Sequence, residues 1–152
     1  MAIQSTQFAG MQAVPRVKIR PQDGGLAEKT LVATTPATYA AQAVNELFDL
    51  FFIPAGSRIP PFCRVECAAG AASSTLSIGL RSQATGTVVN AGAIASGVNL
   101  TAAGVKDANN GTIYAGGGYI ATEDLVAYGT FTGATNTANQ AITVYLPIVP
   151  MA

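Results

Sequence analysis

Two segments of this chain alternate apolar and polar side chains with a strict period of two, and this pattern constrains the fold more than any other feature. The segments are residues 75–80 and 142–148. A period of two places successive side chains on opposite faces of a β-strand, so one face of each segment is predicted to be core. The predicted core side chains are Leu76, Ile78, Leu80, Ile142, Val144 and Leu146.

Shorter strand-like segments occur elsewhere and are separated by Gly, Pro, Asn and Ser. Residues 47–53 form an apolar run that ends at the turn 54–57, and residues 62–67 and 120–131 alternate in polarity. Short strands separated by turn residues, without a long helical pattern, predict an all-β fold, an antiparallel sandwich that is jelly-roll-like. We expect segments 47–53 and 62–67 to be neighbours in one sheet.

Two further segments have weaker patterns. Residues 91–104 are small and interrupted by glycine, which predicts a loop with at most one helical turn. Asn110-Gly111 precedes a short run of β-forming residues, which is a signal for a tight hairpin turn. The same stretch does not fit a calcium loop, because glycine occupies the fifth and twelfth positions.

The N-terminal residues differ from the rest of the chain. Residues 1–37 contain three prolines and a Gly-Gly pair and are predicted to form an extended arm, followed by a β-sandwich domain over residues 38–152. Within the arm, the basic residues alternate with apolar ones, as in a short edge strand. Such a strand either discourages pairing with other edges or docks on a partner. The predicted partner-contact residues are Arg16, Val17, Lys18, Ile19 and Arg20.

Charge and composition exclude several classes of function. Charged residues make up 11% of the chain, against about 25% in ordinary soluble domains, and the formal net charge is zero. A neutral chain lacks the field expected of a nucleic-acid or membrane-surface binder. The N-terminal sequence lacks signal-peptide features, and no apolar run is long enough to span a membrane. We therefore expect no nucleic-acid or membrane partner, and synthesis in the cytoplasm.

The residues that usually carry catalysis are scarce. The chain has no histidine and eight carboxylates, and on a strand Glu123 and Asp124 would point to opposite faces. Cys63 and Cys67 are too far apart along a strand for a disulfide and too few for a zinc site, so they are expected to be reduced and buried. These observations predict a non-enzymatic protein without a metal or cofactor.

The segment 45–59, Asn-Glu-Leu-Phe-Asp-Leu-Phe-Phe-Ile-Pro-Ala-Gly-Ser-Arg-Ile, is followed by a strand and then by Thr-Leu-Ser-Ile-Gly-Leu at 75–80. This order, together with Ile-Ala-Thr-Glu-Asp-Leu-Val-Ala at 120–127 and a closing Ile-Thr-Val-Tyr-Leu, resembles the capsid decoration (cement) proteins of tailed bacteriophages. The resemblance covers residues 38–149. It implies a homo-oligomer, usually a trimer, that binds the major capsid protein on the outer surface of the virion and stabilises the phage head.

A second class of function is compatible with the same fold. Jelly-roll sandwiches also serve as lectins, so a tail-fibre or carbohydrate-binding module is the alternative. The feature that would favour this alternative is a surface tyrosine or tryptophan in a groove. The chain has no tryptophan and five tyrosines.

Overall fold

The structure, a computed structural model, describes residues 28–150. This part of the chain forms ten strands and one short 3-10 helix at Thr112–Gly116. The strands are β1 (Lys29–Thr34), β2 (Leu47–Ile53), β3 (Arg58–Ile59), β4 (Arg64–Cys67), β5 (Thr75–Ser82), β6 (Val88–Asn99), β7 (Gly104–Asp107), β8 (Tyr119–Ile120), β9 (Leu125–Thr132) and β10 (Ile142–Ile148).

Eight of these strands form two four-stranded antiparallel sheets. Sheet A has the order β1-β10-β4-β7, and sheet B has the order β2-β9-β5-β6. The pairs are nested: β1 pairs with β10, β2 with β9, β3 with β8, β4 with β7, and β5 with β6. The chain therefore resembles one long hairpin that is folded over. The pairs β1-β10 and β4-β7 lie in sheet A, and the pairs β2-β9 and β5-β6 lie in sheet B. This connectivity is that of a jelly roll, and the predicted all-β sandwich is confirmed.

The core lies between the sheets and contains the residues that the alternating pattern selected. All six predicted core side chains are at most 2% exposed. Cys63 and Cys67 are both free and buried, as expected. Because burial of apolar side chains is the main favourable contribution to folding, these two strands contribute strongly to the stability of the sandwich.

The prediction of a loop at 91–104 is wrong for most of that segment. Strand β6 extends to Asn99 and pairs with β5, although its register shifts three times. Ile78 lies opposite Ala95 and Leu80 opposite Asn90, so β6 has more residues than β5 between the same two points. Extra residues in a strand disrupt the period of two, which explains why the sequence did not predict it.

The prediction that 47–53 and 62–67 are sheet neighbours is also wrong. Strand β2 pairs with β9 in sheet B, whereas β4 lies between β10 and β7 in sheet A. The connection between β2 and β4 includes β3 and Pro60-Pro61, and it crosses from one sheet to the other. Adjacency in sequence therefore does not produce pairing here.

Asn110 and Gly111 do not form the predicted hairpin turn. They precede the 3-10 helix, and the side chain of Asn110 bonds both backbone groups of Ser96, accepting from its N–H at 3.0 Å and donating to its carbonyl at 2.7 Å. The Asn110 side chain thus holds this loop against strand β6, and the chain continues into the helix instead of reversing.

The sandwich begins earlier than the predicted boundary at residue 38. Lys29–Thr34 form β1, which pairs with β10 from Lys29 opposite Ile148 to Thr34 opposite Thr143. Its outward and inward residues alternate in exposure, as expected for an edge strand that covers one side of the core. Residues 29–34 thus belong to the sandwich, and the part of the predicted arm before residue 28 lies outside the described residues.

Candidate interaction surfaces

The outer face of sheet A carries one row of side chains that crosses all four strands. Val32, Tyr145, Arg64 and Asp107 are successive partners in the register from β1 to β7. Residues directly opposite in neighbouring strands share a face, so these four side chains all point away from the core. The Arg64 Nε and Asp107 Oδ1 atoms are 3.7 Å apart, and both side chains are well exposed.

A groove of about 500 Å³ lies on this face, and we call it the sheet A groove. Its apolar lining comes from Phe62, Tyr145 and Pro147, and Phe62 is 63% exposed. Its polar lining includes Glu28 at the β1 edge and Asp107 with Asn109 at the β7 edge, with Arg64 between them. The groove therefore combines an apolar floor with carboxylates at both ends.

Tyr145 connects the groove to a third carboxylate. Its hydroxyl donates to Glu66 Oε2 at 3.1 Å, and Glu66 is the next outward residue of β4 after Arg64. This hydrogen bond raises the pKa of Tyr145, because the phenol must keep its proton to donate it. The groove and its border thus carry Glu28, Glu66 and Asp107 against one cation, Arg64.

The outer face of sheet B has a different character. Arg81 Nη2 donates to both carboxylate oxygens of Asp49 at 2.8 Å each, which explains the acidic residue inside the apolar run 47–53. Tyr128 lies on the same face and is 2% exposed, because its ring covers Gly79, where a Cβ atom would be 2.8 Å from the Tyr128 Cζ. Burial raises the pKa of Tyr128, and the Arg81 charge opposes that increase.

Apolar side chains surround this ion pair on the surface. Leu47 and Phe52 of β2 are each 51% exposed, and Val88 of β6 lies opposite Arg81. Single exposed apolar residues are normal, but several on one face of a sheet make that face a candidate contact surface. We refer to Leu47, Phe52 and Val88 with the Asp49–Arg81 pair as the sheet B patch.

The five predicted partner-contact residues, Arg16 to Arg20, lie outside the described residues. The structure therefore does not test them.

Glu123 and Asp124 have separate partners. Glu123 accepts from the Ser82 hydroxyl at 2.7 Å, and Asp124 accepts from the Ala55 N–H at 2.8 Å. Both residues lie in the bend before β9 and not on a strand, and each carboxylate has its own hydrogen-bond partner. Within residues 28–150, no cluster of three or more His, Cys, Asp or Glu could hold a metal, and no helix is long and apolar enough to cross a membrane.

The sequence did not predict the sheet A groove. Phe62, Asp107 and Tyr145 are separated by about forty residues each, and only the pairing of β4 with both β10 and β7 brings them together. The one available signal was the outward alternation at 62–66, which identified Phe62, Arg64 and Glu66 as exposed.

The fold and these surfaces define a jelly-roll protein with two candidate contact faces, one of which carries a groove. No protein-family model matches the sequence, and no curated protein matches it.

Solved structures do match it. A chain in the capsid structure of Ralstonia phage GP4 is similar with a TM-score of 0.64 at 13% identity, covering 82% of this chain and 85% of that one. A chain in the capsid asymmetric unit of cyanophage Pam1 is similar with a TM-score of 0.51 at 13% identity, covering 91% and 94%. At such low identity the likeness shows that the fold is shared.

Proposed function

We propose that this chain is a structural, non-enzymatic protein of a tailed-bacteriophage virion. More specifically, we propose a decoration (cement) protein that binds the major capsid protein on the outer surface of the head and stabilises it. The observation that carries the proposal is the jelly-roll fold shared with chains in two phage capsid structures, with more than four fifths of each chain covered. Fold alone does not determine function, so the surfaces must support it as well.

Both outer faces of the sandwich are suited to contacts. The sheet B patch and the exposed Phe62 of the sheet A groove leave large apolar side chains at the surface. A component repeated many times on a lattice gains avidity from many weak contacts, so each face needs only modest affinity. We propose a homo-oligomer, with a trimer as the simplest closed ring consistent with the decoration-protein resemblance.

We propose further that Arg16, Val17, Lys18, Ile19 and Arg20 contact a neighbouring subunit. Exposed ion pairs contribute only about 0.2 to 1 kcal/mol each, so the apolar residues should dominate this contact. Deleting residues 1–27 should weaken binding to heads more than an Arg16→Ser/Lys18→Ser/Arg20→Ser variant does. The deletion must stop before β1, because β1 is part of sheet A.

The decisive experiment for the main proposal is purification of phage particles followed by quantitative mass spectrometry. A decoration protein should be present in a fixed ratio to the major capsid protein. Heads that lack it should bind the added full-length protein saturably and should then open at a higher temperature. Absence from washed particles would refute the proposal.

A carbohydrate-binding module is the second candidate function, and one observation favours it. Tyr145 and Phe62 line a groove that also contains the polar groups of Arg64, Asp107 and Asn109. Aromatic rings beside polar groups are a general feature of small-molecule sites. Specific binding to a glycan array, abolished by Phe62→Ala, would support this candidate over the capsid function.

A further inference from the structure

We propose that the sheet A groove receives the segment Arg16–Arg20 of a neighbouring copy of this chain, an inference that rests on the shell function proposed above. The surface that receives the proposed contact residues is then the sheet A groove, and the partner is a second copy of the same chain.

The first argument is charge. Residues 28–150 contain five Lys or Arg and seven Asp or Glu, a net charge of −2, whereas residues 1–27 contain three and one, a net charge of +2. The neutrality of the whole chain thus comes from two parts of opposite sign. The sheet A groove and its border are also negative, like residues 28–150 as a whole. Glu28, Glu66 and Asp107 together with Arg64 give them a net charge of −2. Opposite potentials promote association and help fix its register.

The second argument is shape and polarity. In an extended segment, Val17 and Ile19 share one face, which fits the apolar floor at Phe62, Tyr145 and Pro147. The flanking Arg16 and Arg20 lie at the two ends of the segment, and their long stems can carry the guanidinium groups to carboxylates at the groove ends.

The third argument is length. The groove crosses four strands, or about 14 Å at the usual spacing of strands. Five extended residues span roughly 17 Å, so the segment matches the distance between Glu28 at the β1 edge and Asp107 at the β7 edge.

The connection to the body allows the segment to reach a second molecule. Seven residues, 21–27, separate Arg20 from Glu28 and span up to roughly 24 Å when extended. This reach exceeds the width of the sheet, so the segment can pass beyond its own sandwich. If every copy donates one segment and receives one, the contact is head-to-tail and can close into a ring.

A neutral saccharide fits the same groove less well. It would gain nothing from the net negative charge of the groove, whereas the basic side chains of the peptide segment would be attracted by that charge. The peptide segment satisfies both the apolar floor and the charges, and so we favour it over a sugar.

Photo-crosslinking in the full-length protein tests this proposal directly. The photoreactive amino acid p-benzoylphenylalanine replaces Phe62, an exposed aromatic whose replacement leaves the core intact. The matched control places it at Phe52, which is similarly exposed on sheet B. Equal amounts of protein labelled with nitrogen-15 and unlabelled protein are mixed and refolded together so that subunits exchange before illumination, and crosslinked peptides are identified by mass spectrometry.

We expect position 62, but not position 52, to crosslink to residues 16–20, and half of these crosslinks to join a labelled and an unlabelled chain. A Val17→Ser/Ile19→Ser variant should reduce the yield at position 62 at least fivefold. Crosslinks confined to one isotope would show that the segment binds its own groove and would overturn the proposal. Equal yields at positions 62 and 52, or glycan binding lost on Phe62→Ala, would also overturn it.

The outcome is separable from that of the proposed function. Presence in particles is measured on virions, whereas the crosslinks are measured on purified protein. A protein found in virions without these crosslinks would retain its proposed function and lose this contact.

Discussion

Gly111 lies where the chain after β7 passes against β6. Its N–H donates to the Ile94 carbonyl at 3.0 Å, and a Cβ atom at this position would collide with the carbonyl groups of Ala93 and Ile94. The obstructing atoms are backbone, so a side chain could be accommodated only by moving the strand. The missing side chain therefore allows the loop to close over the core.

We predict that Gly111→Ala lowers the free energy of unfolding by about 2 kcal/mol or more, because overpacking against a fixed backbone is costly. Urea denaturation of the purified variant measures this change. Gly92→Ala is the matched control, since its Cβ would meet only the Ser96 side chain at ordinary contact distance. Equal stability of the two variants would contradict the prediction.

Cys63 is a second residue whose surroundings fix its chemistry. The residue is 2% exposed, and burial raises the pKa of its thiol from about 9 to about 12. Removal of water disfavours the thiolate, so the native state holds the proton more tightly than the unfolded chain does. Tyr114 packs near it, and burial followed by the nearby Cys63 raises the pKa of Tyr114 as well.

The direction of the pH dependence follows from these shifts. The unfolded chain releases the Cys63 proton near pH 9 and the native state near pH 12, so stability is lost as pH rises through this interval. We expect Cys63→Ala to reduce the slope of unfolding free energy against pH by about 1 kcal/mol per pH unit above pH 9. Urea titrations at several pH values check this. Identical slopes would show that Cys63 titrates normally.

At the scale of elements, Gln140 joins the two sheets at one end of the sandwich. It lies in the turn before β10 and is 3% exposed. Its Nε2 donates to the Ala68 carbonyl at 2.9 Å, just after β4, and to the Leu100 carbonyl at 3.1 Å, just after β6. The backbone carbonyl of Gln140 accepts hydrogen bonds from the hydroxyls of Thr35 and Tyr39. One side chain thus satisfies carbonyl groups that follow strands of both sheets.

We predict that Gln140→Met lowers the free energy of unfolding by about 2 kcal/mol, because the buried Leu100 carbonyl and the partly buried Ala68 carbonyl lose their donor while the side-chain volume is nearly kept. The same substitution at Gln42, which is only partly buried and whose side-chain amide bonds only the nearby Ala40 carbonyl, should change stability by less than about 0.5 kcal/mol. Chemical denaturation of both variants provides the comparison. A Gln140→Met protein as stable as Gln42→Met would refute the role of Gln140.

At the scale of the whole molecule, nesting makes the contacts non-local. Among the nested strand pairs of residues 28–150, only β5 and β6 are joined by a short turn, whereas β1 pairs with β10 more than a hundred residues away in sequence. Non-local strand pairing closes long loops before it gains contacts, so folding should be slow for the size of the domain. The finished fold leaves the two sheets with exposed outer faces, and it is through these faces that we expect copies to associate.

We predict that the full-length protein at about 10 µM sediments as a closed oligomer, with a trimer as the expected species. The sheet B patch and the sheet A groove leave Phe52 and Phe62 exposed, and a surface with few charges opposes association weakly. Analytical ultracentrifugation measures the mass directly. A monomer at this concentration would refute self-association through these faces.

The sequence by itself determined the fold class and much of the core. Leu76, Ile78 and Leu80 on β5, and Ile142, Val144 and Leu146 on β10, were recognisable because a regular strand places alternate side chains on one face. The turn after β2 and the reduced state of the two cysteines were also local properties. Regular strands and their core-facing residues can therefore be predicted from the alternation of apolar and polar side chains in the sequence.

Only the tertiary structure decided which strands pair and where the surfaces lie. The sequence did not predict strand β6, because its bulges interrupt the alternation of apolar and polar side chains. It did not predict β1, because an edge strand has one partner and a weak pattern. The sheet A groove needs Asp107 of β7, Tyr145 of β10 and Phe62 just before β4, which are distant in sequence. Local patterns report which face of a strand is apolar, but the partner of that strand is chosen by long-range burial and backbone pairing.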